Sequence, residues 1–280
     1  MRAIDILMLA IVASTPLLLA VEGELVAQRA GIINLGIEGM MLTSAMTAVI
    51  AAQLTKNVAL GFLGGIAGAM LIAAIFGAFA IHKHADQIVT GTAINLLAVG
   101  FTGFLYREIQ NGDFFVAGVP HLGESGQRVI VAIVWTIVPA LLAVMLWTTS
   151  FGLRLRAAGE SPAAAPHVKA HRWAALAIEA LLVGAAGALL SLALSSGFAE
   201  NMTAGRGFIA LSIVIFGRWR VRGAVAGTAL FGVAAAMQYA LQAMNSGVPF
   251  HLLLAVPYVV TLLILCGIAG RVRAPEALGR

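Results

Sequence analysis

The sequence predicts an all-α, polytopic transmembrane helical bundle of about nine spans, with eight to ten possible, carrying a short helix on its cytoplasmic face. Three observations predict it. The chain of 280 residues is 61% hydrophobic and only 10% charged, with a mean hydropathy of +0.98, whereas water-soluble domains carry roughly a quarter charged residues. Its apolar runs reach the ~20 residues that a membrane-crossing helix needs. Those runs do not alternate with the period of two that barrel strands require.

The elements follow in order. Arg2 and the apolar stretch Ile6–Ala20 look superficially like a secretory signal, but Asp5 sits in the basic region and Pro16 breaks the apolar core. No small-residue cleavage site follows, so the stretch is expected to remain as a first helix. A second span begins near Glu38. Further spans are expected over Asn57–Ile81, Ile88–Tyr106, Val129–Ser150, Trp173–Phe198, Gly223–Ala243 and Phe250–Cys266. Phe208–Gly217, flanked by Arg206 and Arg218, is short for a span. It is tolerable only where its ends are buried in protein or line a wet cavity. The whole of residues 1–280 reads as one domain, with 151–172 as a cytoplasmic segment within it.

Basic residues set the orientation. Arg29, Lys83, Arg154, Arg156, Lys169, Arg172, Arg218, Arg220, Arg222, Arg271, Arg273 and Arg280 fall on one side of the predicted topology, and Arg2, Lys56, Arg107, Arg128 and Arg206 on the other. The positive-inside rule then puts the N-terminus outside and the C-terminus in the cytoplasm. The net charge of +5 is explained by these loops. No basic run interleaved with aromatics suggests nucleic acid. The pairs Gly61/Gly65, Gly64/Gly68 and Gly223/Gly227 allow close helix approach, within one bundle or against another subunit. The lone Cys266 reads as core filler.

Several chemistries are missing. A phosphate-cradling loop needs Gly-Lys-Ser/Thr, yet the three lysines, Lys56, Lys83 and Lys169, follow Thr55, His82 and Val168. No cofactor is expected in this chain, and any ATP chemistry must come from a partner. There is no H-E-x-x-H and no G-x-S-x-G. His82/His84 and His167/His171 have metal-compatible spacing, but they sit at predicted membrane edges without a nearby Cys, where solvated histidines are commoner.

Polar residues within apolar runs are costly and so carry functional hypotheses. In Gly31–Met41, Asn34 and Glu38 are four apart, on one face if the segment is helical, while Gly31, Gly36 and Gly39 make it easily broken. Thr92 and Asn95 head another span. Gln238 and Gln242 are again four apart. All six are candidates for a substrate pathway, and the alternative for each is tying helices together. In the basic segment 151–172, Arg154, Arg156, Gly159, Glu160, Ser161 and Pro162 form a candidate ATPase contact, the other possibility being an ordinary basic loop. Ser161-Pro162 is expected to start a short helix, with Ser as N-cap and Pro at the first helical position.

Three stretches carry a resemblance: Ala30-Gly-Ile-Ile-Asn-Leu-Gly-Ile-Glu-Gly-Met-Met41, Gly152-Leu-Arg-Leu-Arg-Ala-Ala-Gly-Glu-Ser-Pro162 and Glu200-Asn-Met-Thr-Ala-Gly-Arg-Gly-Phe-Ile-Ala210. They resemble the permeases of nucleoside-type ABC importers, within the branched-chain amino acid/ribose permease superfamily, in the family's order from Thr15 to about Leu241. The resemblance implies a multi-pass permease of the bacterial inner membrane that moves nucleosides or related purine compounds by alternating access. Its implied partners are a second, related permease, an ABC ATPase that binds ATP-Mg, and an extracytoplasmic substrate-binding lipoprotein. Arg154–Arg172 would then hold the coupling helix. Two departures stand out: Pro166 and Lys169 replace the usual acidic residue and glycine, and Arg220-Val221 replaces the frequent Asn-Pro. Sugar or branched-chain amino acid permeases remain alternatives, as does a stand-alone secondary transporter, which paired acids within the spans would favour; few such acids are expected.

Overall fold

The computed structural model describes residues 3–110, 118–243, 259 and 274–279. Among the described residues the chain is helical with no strand. The helices are α1 (Ala3–Arg29), α2 (Ile37–Thr55), α3 (Val58–Gly77), α4 (Gln87–Gln110), α5 (Glu124–Thr148), α6 (Ser150–Glu160), α7 (Val168–Leu189), α8 (Arg206–Phe216) and α9 (Val221–Ala243). π-helical turns extend α3 to His82 and α7 to Leu194. Six helices, α1–α5 and α7, are long and apolar enough to cross a membrane. Eight of the expected spans thus have a helix in place, and the ninth, Phe250–Cys266, lies, Val259 apart, outside the described residues.

Helix α1 is the centre of the bundle, packed by α5, α7, α8 and α9. Its interior Pro16 lacks an amide hydrogen. Beside it, Ser14 and Thr15 hydroxyls donate to Ala10 and Ile11 carbonyls at 2.5 and 2.7 Å. Trp135 of α5 donates to Thr15 Oγ1 at 3.1 Å, tying α5 to α1 at the proline. Helix α2 lies against α3, α7 and α4. Added Cβ atoms at Gly61, Gly65 and Gly68 would press on Ala52, Ser44, Ala48 and Thr47. Those glycines therefore serve contact between α2 and α3 of one chain. Gly223 and Gly227 likewise let α9 close on α8 at Gly217 and Ile213. Large apolar side chains such as Leu71, Leu96, Phe104 and Leu141 are exposed on α3, α4 and α5, as expected of surfaces that meet lipid or a partner subunit.

Local structure settles one open reading and corrects another. Asn34 is not helical: α1 ends at Arg29, α2 begins at Ile37, and Asn34 lies in the break between them. Its side chain accepts from the Gly36 amide at 3.0 Å and its carbonyl from Ile37 at 3.2 Å, so Asn34 holds a turn in competition with helix. Nor does Ser161-Pro162 start a helix. Helix α6 lies before it, capped by Thr149, whose Oγ1 accepts from Gly152 N at 3.0 Å. It ends at Ser161, whose backbone turns to φ −146°, ψ 76°. Proline drives its preceding residue out of the helical region, which makes Ser161-Pro162 a stop.

The short helix α8 spans 11 residues, about 16 Å at 1.5 Å per residue, so its N-terminal amides end deep among other helices. Glu38 of α2 satisfies them. Its Oε1 accepts from Thr203 Oγ1 at 2.6 Å and from Gly205 N at 2.8 Å, and its Oε2 accepts from Gly207 N at 2.6 Å. A carboxylate at a helix N-terminus meets both free amides and the positive end of the helix dipole. A Cβ at Gly207 would collide with the Glu38 backbone and side chain, so glycine permits the approach. Glu38→Gln leaves one carbonyl oxygen to accept where two oxygens did. It should destabilise the purified chain by about 2–4 kcal/mol and speed proteolysis within 195–206. An unchanged melting temperature and digestion rate would contradict this role.

Candidate functional site

The break between α1 and α2, with the start of α2, gathers three of the six pathway candidates: Asn34, Glu38 and Asn95. Asn34 Nδ2 donates to Glu179 Oε1 of α7 and to Met40 Sδ, both at 3.0 Å. Glu179 lies beside Glu24 of α1, and one oxygen of each carboxyl is buried without a hydrogen-bond partner. Glu24 Oε1 accepts from Gln28 at 2.8 Å, and Gln28 Oε1 accepts from Trp219 Nε1 at 2.6 Å. A buried polar chain therefore runs from the α8–α9 connection through α1 and α7 to the break. Asn95 of α4 is bonded on both sides of the start of α2: it donates to Leu35 O at 2.6 Å and accepts from Gly39 N at 2.8 Å. Gln87 accepts from Ile33 N at 2.7 Å. Thr92 is exposed on α4 and bonds its own helix at Ile88 O. Gln238 and Gln242 lie on the described backbone of α9, and their side chains are outside the described residues.

The expectation of few acids in the spans is corrected. Glu22, Glu24, Glu38 and Glu179 are all buried. Glu22 and Glu24 follow the apolar stretch Ile6–Ala20, where the span was expected to finish, but α1 continues inward to Arg29. Glu179 stood in mid-run, where an ionisable residue is itself a signal. Thr203 had no such signal, because its partner is 165 residues away.

At the end of the bundle where α1 stops, α6 sits on the break. A Cβ on Gly159 would collide with Arg29 O and press on Gly31 N, so the two backbones meet directly. Gly31, at φ +86°, takes a left-handed conformation that glycine adopts at low cost. The segment 274–279 straps the junction: Ala277 N donates to Gly159 O at 2.9 Å, and Gly279 N to Gly31 O at 3.1 Å. Arg172 Nε donates to Ala30 O at 3.3 Å, and Glu160 pairs with Arg29 at 3.6 Å. Arg156 turns inward over Trp147, 4.5 Å from the ring centroid, while Arg154 is exposed. Ser161 and the turn up to His167 form an exposed tip. At the opposite end, Arg107 of α4 grips Glu200 at 2.8 and 3.1 Å. These hydrogen bonds hold the Glu200 carboxyl below the usual range. The three stretches that carried the resemblance thus meet: Glu38 caps the third, and Gly31 seats the second.

The chain matches, over residues 5–265, the family described as the permease component of branched-chain amino acid transport systems. It is 32% identical to the guanosine ABC transporter permease protein NupQ of Bacillus subtilis, covering 96% of this chain and 93% of that protein. It is also 32% identical to the nucleoside ABC transporter permease protein NupC of Lactococcus lactis, covering 95% and 92%. The putative glucose ABC transporter permease protein TsgC13 of Haloferax volcanii is 37% identical over 83% of this chain and 76% of its own length. No solved structure gives a significant match. The match over residues 5–265 and the likeness to relatives across nearly the whole chain decide the family: this protein belongs to the permease components of the branched-chain amino acid transport system type.

Proposed function

We propose that the chain moves nucleosides or related purine compounds across a bacterial cytoplasmic membrane, as a permease subunit of an ATP-driven ABC importer working by alternating access. The observation that carries it is likeness over 96% and 95% of the chain to permeases named for guanosine and nucleosides. The glucose-named relative supports sugars as the second reading, over a smaller share of the chain. The Glu24–Glu179 pair alone would suit a proton-coupled carrier, but it is bonded to Gln28 and Asn34 and so also suits a structural tie. Uptake of labelled guanosine by cells expressing the complete importer tests the substrate. Unlabelled nucleosides should compete, whereas glucose and leucine should not; competition by glucose alone would overturn the nucleoside reading.

With no P-loop lysine in the sequence, hydrolysis of ATP-Mg falls to a partner ATPase. A second related permease and an extracytoplasmic binding lipoprotein complete the assembly. Helix α6 and the exposed tip 160–167 form the coupling element, with Arg154, Glu160, Ser161 and Pro162 towards the ATPase and Gly159 towards the bundle. Support comes from the direct seat of α6 on Arg29 and Gly31, which couples a push on α6 to the break. Asn34, Glu38 and Asn95 shape the pathway wall there. Thr92, Gln238 and Gln242 supply further donors and acceptors suited to a neutral, polar substrate. Gly159→Trp or Glu160→Arg should lower uptake several-fold while the assembled complex retains ATPase activity. Normal uptake by both variants would remove α6 from the coupling route.

In the nine-span arrangement Phe250–Cys266 is the last crossing, the N-terminus is outside and the C-terminus is cytoplasmic. Arg29, α6, Trp219 and the strap 274–279 meet at one end, which supports one side for all of them. Cysteine replacing exposed Ala163 should resist a membrane-impermeant thiol reagent in intact cells, and cysteine replacing exposed His121 should label. The reverse pattern would invert the topology.

A further inference from the structure

Where α1, α5, α6 and α9 meet lies a cavity of about 540 Å³, lined by Arg29, Trp147, Arg156, Arg220, Val221 and Arg222, with Ala143 deeper along α5. Four guanidinium groups share it. Arg29 is committed: its nitrogens donate to Trp219 O, at 2.8 and 2.5 Å, and one pairs with Glu160. Arg29 and Arg156 both lie over the Trp147 ring, 5.0 and 4.5 Å from its centroid. Arg156 Nε is buried without a hydrogen-bond partner. Among the described residues no carboxylate pairs with Arg156, Arg220 or Arg222. Like charges held this close, with one acid at the edge, repel one another. An anion with several acceptor oxygens would relieve that, and guanidinium groups match phosphate in particular.

The exposed face of α5 that leads away from Trp147 and the cavity names the source of the phosphate. Ile133, Ile137, Leu141, Val144 and Trp147 are all exposed and follow one another at spacings of three and four, so they form a single stripe along α5. The stripe runs from mid-helix to the arginines. Tryptophan commonly marks the headgroup level of a membrane. A free anion has no use for such a stripe, whereas a phospholipid would lay an acyl chain along it.

We propose that this cavity is a binding site for an anionic phospholipid, with its phosphate held by Arg156, Arg220 and Arg222 and an acyl chain against the α5 stripe. The lipid would thereby brace α6, which carries Arg156, against α5, which carries the stripe, and against the start of α9, where Arg220 and Arg222 lie.

Native mass spectrometry of the assembled complex, released from mild detergent, tests this with added phosphatidylglycerol, phosphatidylcholine of the same chains, or inorganic phosphate. Phosphatidylglycerol should be retained several-fold better than phosphatidylcholine, and millimolar phosphate should not displace it. Arg156→Gln combined with Arg222→Gln should bring retention down to the phosphatidylcholine level, and Arg220→Gln alone should lower it partially. Arg128→Gln at the opposite end should leave it unchanged. Melting temperatures of the variants separate lost binding from lost folding. Equal retention of the two lipids, displacement by inorganic phosphate, or full retention by folded Arg156→Gln/Arg222→Gln would each overturn the proposal. So would loss of the ATPase from that variant with lipid retention intact, since the cavity would then be a protein contact.

Discussion

A chain break buried among helices must satisfy its backbone polar groups from within the protein, because an unpaired buried group costs about as much as a lost hydrogen bond. Residues 30–39 meet that constraint with partners drawn from almost every neighbouring element. Ile33 N donates to Gln87, Gly36 N to the Asn34 side chain and Gly39 N to Asn95. On the acceptor side, Ala30 O takes Arg172, Gly31 O takes Gly279 and Leu35 O takes Asn95. The break thereby becomes the joint to which α4, α6, α7 and the strap 274–279 are fastened.

The consequences reach both ends of the molecule. Just beyond the joint, Glu38 caps α8 and so fixes a helix too short to anchor itself by crossing the membrane. Just before it, α6 rests on Arg29 and Gly31 with no side chain between the backbones. Motion of α6 therefore has a stiff route to the joint, and the joint has a hydrogen-bonded route to α8 through Glu38. Interiors packed this closely transmit displacement rather than absorb it. That property is what an ATP-driven permease would need between its cytoplasmic contact and its pathway.

Much of this was legible in the sequence. Composition gave the membrane environment, apolar runs placed eight of the described helices, and Gly31 and Gly36 marked the break. Asn34, Glu38 and Asn95 were found as polar residues in apolar surroundings. What they bond was not legible, because Glu38–Thr203 and Asn34–Glu179 are long-range contacts with no local pattern. Ser161-Pro162 was misread because a capping residue before proline looks alike at a start and at a stop; Thr149, twelve residues earlier, is the true cap. Glu24 was passed over because the first span was ended at Ala20, short of where α1 stops.

The central claim is that residues 30–39 act as one joint shared by α4, α6 and α7. Amide hydrogen exchange of the assembled complex, comparing wild type with Asn95→Ala, tests it most directly. Removing the two bonds from Asn95 should speed exchange across Ile33–Gly39 and also in α6 near Gly159, although α6 does not touch Asn95. Faster exchange confined to α4, with the break and α6 unchanged, would contradict the claim.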